Sequence, residues 1–545
     1  MTIKMKGHMK SIKSILAGLA LVSAVFASSS CKKDILDLSP IDYYGSGNFW
    51  TTEAQVDGYI YTLNYYLRNL CFNHAIMFGE LRGGLYASSA GSSDGSTHYN
   101  ANVILQNFDA DHTGVSTFGS YYGAITQTNL FITRVEDIDF LPEEKKNNYL
   151  GIAYGIRAFL YFDLYRIYGS VPLRLDVAVI DGEIDPLKLY MGRHSPDEVM
   201  KQIKADLASS LSHFGSTTAF DPYGHGSKIT WSKAATEYLA GEVYLWNAKV
   251  SVDETRGSHA AEPGDITAAK TYFENVVNNY GLSLQTSFKK VFDQSNKANS
   301  EVIFAIRYKE DEASNSISSQ YTYLSDGRGA LMNMWNKDGS SWGNPLDLRT
   351  NGGGQWYEYS NDLYSSMDEE DTRRDATFYP CYTQDKELYT TVVGKNVGYT
   401  NAAGVHVYNG DQIYYRLAGA YLALAEIANY QGDNAGVKKY IDLVRARAYG
   451  VNASKHEYTP GTFAENELAI LHEKDYEFVQ EGQRWWDVCR MTKVKGGAVT
   501  DHLVFQSEVS PTGALLSTSE AYKLLWPLDK TILGNDPELT QTKGY

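Results

Sequence analysis

The sequence predicts a predominantly α-helical protein in which tetratricopeptide-like helix pairs pack against an irregular, loop-rich region with short strands. Three observations lead to this fold class. Apolar residues recur at helical spacing over much of the chain, and two stretches have the alanine-rich composition of closely packed helix pairs. From Ser314 to Tyr364 the pattern changes to Gly, Asn, Ser, Asp and aromatic residues. A hydrophobic content of 43% with 21% charged residues is typical of a folded globular protein.

Start and stop signals delimit the helices of the first half. Thr52 and Gln55 form a capping box, and apolar residues follow at helical spacing from Val56 to Leu70. Ser195 and Glu198 form another strong helix start. Between these two helices, the pattern predicts helices over residues 116–135 and 143–168.

Later stretches of the chain predict the helix pairs. Their helices are expected over residues 231–248 with 268–280 and over 414–430 with 435–448. Small residues on facing sides let such helices pack closely, as in tetratricopeptide repeats. Alanine-rich amphipathic helices without any repeat give the same pattern, so both interpretations stay open. A last helix is predicted over residues 464–490.

The region between Ser300 and Tyr408 differs from the rest. Residues 302–306 are typical of a buried strand, and no helix longer than two turns is predicted there. Long irregular segments in compact proteins are usually functional or disordered, and the high aromatic content argues against disorder. We therefore expect functional loops.

The N-terminus is typical of a bacterial lipoprotein export signal. Lysines precede an apolar run from Ile15 to Ala27, which is too short to span a membrane, since spanning takes about 20 apolar residues. Three serines then lead into Cys31. This pattern predicts a signal peptide over residues 1–30, lipidation at Cys31 and a short leash over 31–40. The alternative is an ordinary secretory signal in which Cys31 is incidental.

Charge and cysteine content exclude several classes of function. Without residues 1–30, which hold four lysines and no acidic residue, 45 basic residues face 65 acidic ones, a net charge of −20. Such a chain repels nucleic acid and anionic lipid headgroups. The three remaining cysteines, Cys71, Cys381 and Cys489, are widely spaced and predict neither a disulfide framework nor a metal site. No cofactor is predicted.

Catalytic motifs for nucleotide, metal or nucleophile chemistry are missing from the sequence. The one constellation that suggests catalysis is Glu473, Glu477 and Glu481, spaced four apart on the last predicted helix. A retaining glycosidase needs two carboxyl groups about 5 Å apart on opposite sides of the scissile bond, whereas these three share one face. With Arg484 and Arg490 interleaved, they predict a structural ion-pair network.

This last helix also resembles the motif of the SusD/RagB family, the surface nutrient-binding lipoproteins of Bacteroidota. The family pattern is close to ER-x-x-EF-x-x-EG-x-R-x-x-D-x-x-R, with Lys474 in place of the usual Arg. Similar agreement occurs along the mature chain. The residues that carry the resemblance are Glu473, Glu477-Phe478, Glu481-Gly482, Arg484, Asp487, Arg490, Arg157-Ala158, Tyr168 to Pro172, Asn299 to Phe304, Leu36 to Pro40 and the closing segment Trp526 to Tyr545.

The resemblance implies one domain over residues 41–545, with four tetratricopeptide-like helix pairs in a superhelical scaffold against a variable, loop-rich half. It implies a protein without catalytic activity that binds glycan at the cell surface. Its implied partner is a TonB-dependent outer-membrane transporter of the SusC type, with Cys31 held in outer-membrane lipid. Two alternatives stay open: a peptide-binding relative of the RagB kind and, less favoured, a surface glycoside hydrolase.

Ligand sites in this family are formed by loops, which here fall at about residues 80–106 and 314–364. Aromatic rings cover the apolar face of a sugar, while Arg and Asn hydrogen-bond its hydroxyls. Packing of the irregular half is the alternative role of each single ring. A calcium ion at Ser92 to Ser96 is conceivable, but no ligand spacing supports it. The predicted ligand-binding residues are Arg82, Tyr86, Tyr99, Asn102, Tyr321, Tyr323, Trp335 and Trp342, with Asn100 and Trp356 as further candidates.

Overall fold

The computed structural model describes residues 49–87, 101–177, 189–250, 262–322, 334–347, 355 and 357–545. The predicted signal peptide, Cys31 and the leash lie outside these residues. Contacts divide the chain into two units, residues 1–55 and 56–545, and nearly all the described elements belong to the second.

Helices dominate the described part of the chain. The long ones are α1 (Glu53–Phe72), α2 (Phe118–Asp137), α3 (Glu143–Tyr168), α4 (Pro196–Phe214), α5 (Lys233–Lys249), α6 (Asp265–Asn279), α7 (Leu417–Gln431), α8 (Asn434–Tyr449), α9 (Phe463–Glu477) and α10 (Arg484–Arg490). Short α-helices lie at Ala101–Ile104, Ser316–Tyr321, Asn361–Ser366, Thr372–Thr377 and Lys530–Asn535, and a π-helical turn at Asn73–Phe78 follows α1. Turns of 3-10 helix lie at Leu81–Gly83, Phe288–Val291, Gln294–Asn296, Gly450–Lys455, Val499–Asp501, Leu503–Phe505, Ser507–Val509 and Thr518–Leu524.

Six short strands form three two-stranded antiparallel sheets in the described residues. The strands are β1 (Val302–Ile306), β2 (Phe378–Tyr382), β3 (Leu388–Val393), β4 (Tyr399–Thr400), β5 (His406–Val407) and β6 (Gln412–Arg416). β1 pairs with β6, β2 with β3 and β4 with β5. The predicted fold class, mostly helical with an irregular region and short strands, is confirmed.

The predicted helix starts are confirmed by their hydrogen bonds. The backbone N–H of Thr52 donates to Gln55 Oε1 at 3.1 Å, and the N–H of Ser195 donates to Glu198 Oε2 at 2.9 Å. At its other end α3 stops at Gly169, whose φ of 72° few residues with a side chain adopt. Local hydrogen bonding therefore sets these boundaries, as the sequence predicts.

The two predicted helix pairs form, and each packs closely. α5 lies against α6, and α7 lies against both α8 and α6. Gly241 on α5 makes the first contact possible, because a Cβ there would lie 2.7 Å from the ring of Phe273 on α6. Small residues at these positions bring the helix axes together, and α7 and α9 then extend the packed helices.

Two element boundaries differ from the prediction. Residues 414–416, predicted as the start of a helix, are the end of β6 and pair with β1. Residues 478–483, predicted inside one long helix, separate α9 from α10. Gln480 and Gly482 there have φ of 66° and 77°. Contacts with distant segments hold both stretches out of the helical conformation.

Candidate functional site

The carboxylates of the family-like motif lie inside the protein, in ion pairs. Arg373 lies 2.7 Å from Glu473 and 3.1 Å from Glu477, and Arg416 Nε lies 2.7 Å from Glu481. The predicted structural ion-pair network is therefore present, but its cations come from other elements; the predicted partners Arg484 and Arg490 pair with other carboxylates. We refer to these groups as the signature cluster, whose members in the described residues are Glu301, Asp371, Glu473, Glu477, Glu481, Arg373, Lys395, Arg416, Arg445 and Arg447.

Electrostatics in the signature cluster favour the charged form of Glu477. Burial by itself raises the pKa of Glu477, but the guanidinium groups of Arg447, Arg416 and Arg373 outweigh it and hold that pKa below its ordinary value. The Glu477 side chain is fully buried, and so are its partners. A glycosidase acid needs a raised pKa and access to the sugar, and Glu477 has neither.

The remaining motif charges are paired in the same way. Asp487 lies 2.6 Å from both Lys474 and Arg490, and Arg490 lies 2.8 Å from Glu426. Arg484 makes a two-point contact with Asp475 at 2.6 and 2.7 Å. These pairs of the motif therefore tie α7, α9 and α10 together.

The two predicted ligand loops meet at their stems. The N–H of Ala87 donates to the carbonyl of Glu358 at 3.0 Å, and the N–H of Ser360 donates to the carbonyl of Leu85 at 2.7 Å. The short helix Ser316–Tyr321 forms a third stem beside them. Its Gln320 carbonyl accepts a hydrogen bond from the N–H of Tyr357 at 3.1 Å. The stems of loops that are far apart in sequence thus lie side by side.

Buried tyrosines hold these stems to the motif. Tyr86 and Tyr359 donate to the Glu80 carboxylate at 2.7 and 2.6 Å, and the Tyr86 hydroxyl lies 2.5 Å from that of Tyr321. The other Glu80 oxygen accepts from the N–H of Gly482 at 2.8 Å. Burial raises the pKa of Glu80. The hydrogen bonds from Tyr359, Gly482 and Tyr86 lower this pKa but offset only part of the rise.

A fourth segment, residues 334–347, lies next to these stems and pairs with the β2–β3 hairpin. Trp335 exchanges two backbone hydrogen bonds with Tyr382 of β2, at 3.0 and 2.9 Å. The Trp335 side chain is half-buried, and an exposed turn follows it from Lys337 to Ser341. We refer to segments 80–87, 316–322, 334–347 and 357–361, with β2 and β3, as the loop platform.

Half of the predicted ligand residues are buried in the loop platform. Arg82 lies over the Trp485 ring, 3.8 Å from its centroid, and donates to Gln106 at 2.7 Å. Trp342 packs with Cys381 and Val392 in a small apolar cluster. These side chains, together with Tyr86 and Tyr321, lie away from solvent. The sequence predicts these four side chains on the ligand-binding surface, whereas in the structure they are buried and pack within the loop platform.

The other predicted residues divide into two groups. Asn102 is exposed on the short helix Ala101–Ile104, and Trp335 is half-buried. Tyr99, Asn100, Tyr323 and Trp356 lie outside the described residues, as does the suggested calcium loop. Among the described residues, no cluster of His, Cys, Asp or Glu side chains could hold a metal ion.

Sequence analysis missed two half-buried rings of the loop platform, Tyr379 on β2 and Tyr389 on β3. Both pack at the edge of the apolar cluster formed by Trp342, Cys381 and Val392. Two runs rich in aromatic and β-branched residues, 378–383 and 388–393, flank a polar turn, and this is the signal that could have identified the hairpin. With Trp335, these rings supply flat apolar faces suited to a sugar.

Comparisons with known proteins agree with this architecture. One matching family model, described as the SusD family, covers residues 389–545. Another, described as starch-binding and associating with the outer membrane, covers residues 81–245. A SusD-like protein from Bacteroides ovatus is 24% identical over 88% of this chain and 82% of the relative.

Solved structures extend the similarity over almost the whole chain. A SusD superfamily protein from Bacteroides fragilis is 51% identical, with a TM-score of 0.83, and covers 91% of this chain and all of that one. NanU of B. fragilis is 30% identical, with a TM-score of 0.77, over 93% of this chain and all of its own.

Proposed function

The chain belongs to the SusD/RagB family of Bacteroidota, and on this premise we propose that it is a glycan-binding lipoprotein without catalytic activity. It captures oligosaccharide or polysaccharide at the outer-membrane surface through a domain over residues 41–545. It then delivers the glycan to a TonB-dependent transporter of the SusC type.

The observation that carries this proposal is the loop platform. Backbone hydrogen bonds join its stems from distant parts of the sequence, and the half-buried rings of Trp335, Tyr379 and Tyr389 belong to it. Half-buried rings on a rigid base can stack on a sugar without first being ordered, which limits the entropy lost on binding.

The carboxylates that could suggest catalysis are buried inside the protein. Glu473, Glu477 and Glu481 belong to the signature cluster, and Glu80 accepts hydrogen bonds from two tyrosines and a backbone N–H. Acid–base hydrolysis needs carboxyl groups that reach the glycosidic bond. The buried positions of these four carboxylates favour a binding role.

Attachment to the membrane is assigned to Cys31. The leader places this cysteine directly after small residues, and two or three acyl chains hold a protein durably on a bilayer. In the described part of the chain, no helix combines the length and apolar character needed to cross a membrane. The tether keeps the body at high local concentration beside its transporter.

Calorimetric titration tests the binding proposal. The mature protein is titrated with a panel that begins with maltooligosaccharides, includes other neutral and uronic glycans, and adds a mixture of tripeptides. We expect a Kd between micromolar and millimolar for at least one glycan, about −4 to −8 kcal/mol. Release of reducing ends during incubation would instead indicate a hydrolase, and binding of tripeptides alone would indicate a peptide receptor.

Membrane fractionation tests the anchor. In Cys31→Ala the acylated thiol is lost, so we expect the protein to leave the membrane fraction, whereas the neighbouring Ser29→Ala control stays bound. Retention of Cys31→Ala in the membrane would contradict the anchor assignment without affecting the glycan proposal.

A further inference from the structure

One face of α1 carries polar and aromatic residues that the core does not use. The apolar residues of α1, including Ile60 and Leu63, are buried. Tyr61 and Tyr65 are 54% and 51% exposed, an unusual position for large rings. With Asn64 and Arg68 they follow the spacing i, i+3, i+4, i+7, which places all four on one helix face.

This face forms one wall of an open groove of about 240 Å³. The opposite wall consists of His225, Ile229, the end of β1 at Ile306 and Arg307, and Glu312. The volume lies just below the roughly 300–1,000 Å³ of sites for drug-sized ligands, so the groove has room for about one sugar ring.

Charges in the groove are already paired. Arg68 lies 2.7 Å from Glu312, and Arg307 Nε lies 2.8 Å from a carboxylate oxygen of Asp411. A guanidinium paired with a carboxylate still has N–H groups free to donate, while the pair has little net charge. The groove therefore suits a neutral polar ligand better than an ion.

Two buried polar atoms at the groove lack a hydrogen-bond partner among the described residues. They are Asn64 Oδ1 and His225 Nδ1, the latter 3.6 Å from Asp221, too far for a hydrogen bond. His225 is 6% exposed, and its ring centroid lies 6.0 Å from that of Tyr61. Both atoms are enclosed by protein, so a ligand in the groove contacts the more exposed side chains of α1.

We propose that this groove is a second glycan-binding site, which takes one neutral sugar ring against Tyr61 and Tyr65. The rings cover the apolar face of the sugar, and Asn64 and Arg68 hydrogen-bond its hydroxyls. The choice of ligand rests on the proposed glycan-binding function; the site itself shares no residue with the loop platform.

A second site changes how the protein responds to chain length. A short oligosaccharide occupies one site at a time, whereas a polysaccharide that engages both gains affinity because its second contact is intramolecular. The groove is then expected to contribute to polymer capture more than to oligosaccharide binding.

Calorimetry with a neutral polysaccharide and its short oligosaccharide tests the proposal, using the panel glycan that binds the wild type. The double variant Tyr61→Ala/Tyr65→Ala is compared with Phe140→Ala, which removes a ring that is 44% exposed elsewhere. We expect the double variant to bind polysaccharide about tenfold more weakly, with a normal melting temperature and little change for the oligosaccharide. Phe140→Ala should bind both as the wild type does.

A further pair of variants separates the two sites. Trp335→Ala alone should keep residual polysaccharide binding, and adding Tyr61→Ala/Tyr65→Ala should weaken it further. Wild-type affinity in the double variant would overturn the groove and leave the loop platform intact. Equal polysaccharide binding by Trp335→Ala and by the triple variant would also overturn the groove, and a wild type that binds no glycan would overturn both sites.

Discussion

The signature cluster and the loop platform lie side by side but are held together by different physics. The signature cluster sets buried carboxylates against buried cations at 2.5–3.1 Å, and burial is nearly complete. The loop platform uses tyrosine hydroxyls, short backbone ladders and the buried carboxyl group of Glu80, whose pKa is raised rather than lowered.

The difference shows how one scaffold can carry variable loops. A buried ion pair specifies its partners strictly, because removal of one charge leaves the other uncompensated. Backbone ladders at the loop stems place no demand on the residues of the loop tips. We infer that the motif fixes the body, while the loop platform leaves ligand specificity free to change.

The largest effect is expected in the signature cluster. Arg416→Met removes one partner each from Glu301, Glu477 and Glu481 and leaves the buried cluster with an uncompensated negative charge, so the free energy of unfolding should fall by about 3–5 kcal/mol. Lys493→Met breaks an exposed pair with Glu508 and should cost less than about 1 kcal/mol. Urea denaturation measures both, and equal losses would contradict the contrast.

The next largest effect is expected at Gly482, which connects the signature cluster to the loop platform through its hydrogen bond to Glu80. At Gly482, with φ of 77°, a Cβ would lie 2.7 Å from the carbonyl oxygen of Ala75. Gly482→Ala should therefore destabilise the protein by about 2–3 kcal/mol. Gly281→Ala has a similar φ of 62° but open space around it, and should cost about 1–2 kcal/mol. A control as damaging as Gly482→Ala would mean that the close approach is unimportant.

The smallest effect concerns pH, where Glu477 and Glu80 should act with opposite sign. The lowered pKa of Glu477 stabilises the fold above pH 4.5, and this stability is lost as pH falls through the folded pKa. The raised pKa of Glu80 gives stability below pH 4.5 that is lost as pH rises through its folded pKa. Melting temperatures across this range, in Glu477→Gln and Glu80→Gln, should diverge from the wild type in opposite directions; parallel curves would refute the assignment.

Local signals were enough to predict most of the helices. The capping residues Thr52 and Ser195 and the stop at Gly169 act through neighbours in sequence, so α1, α3 and α4 begin or end where predicted. The break after α9 was missed because its cause lies far away: Gly482 contacts Ala75 and donates to Glu80, some 400 positions earlier. β6 was missed for the same reason, since β1 holds it.

The candidate site was harder to predict than the fold. The sequence located the two loops, and the structure joins their stems, but it could not show which rings face inward. Arg82 is buried because Trp485 lies across it, and Tyr86 because it shares Glu80 with Tyr359. The stripe on α1 is visible in the sequence, yet the groove exists only because His225 and Arg307 come to face it.

The central claim is that the loop platform binds glycan through its half-buried rings, while the buried charges of the signature cluster only hold the fold. Calorimetric titration of Trp335→Ala with the glycan that binds the wild type tests it most directly, beside the Phe140→Ala control. We predict that Trp335→Ala loses about tenfold or more in oligosaccharide affinity, about 1.4 kcal/mol, while its melting temperature stays that of the wild type. Unchanged affinity in Trp335→Ala would contradict the claim.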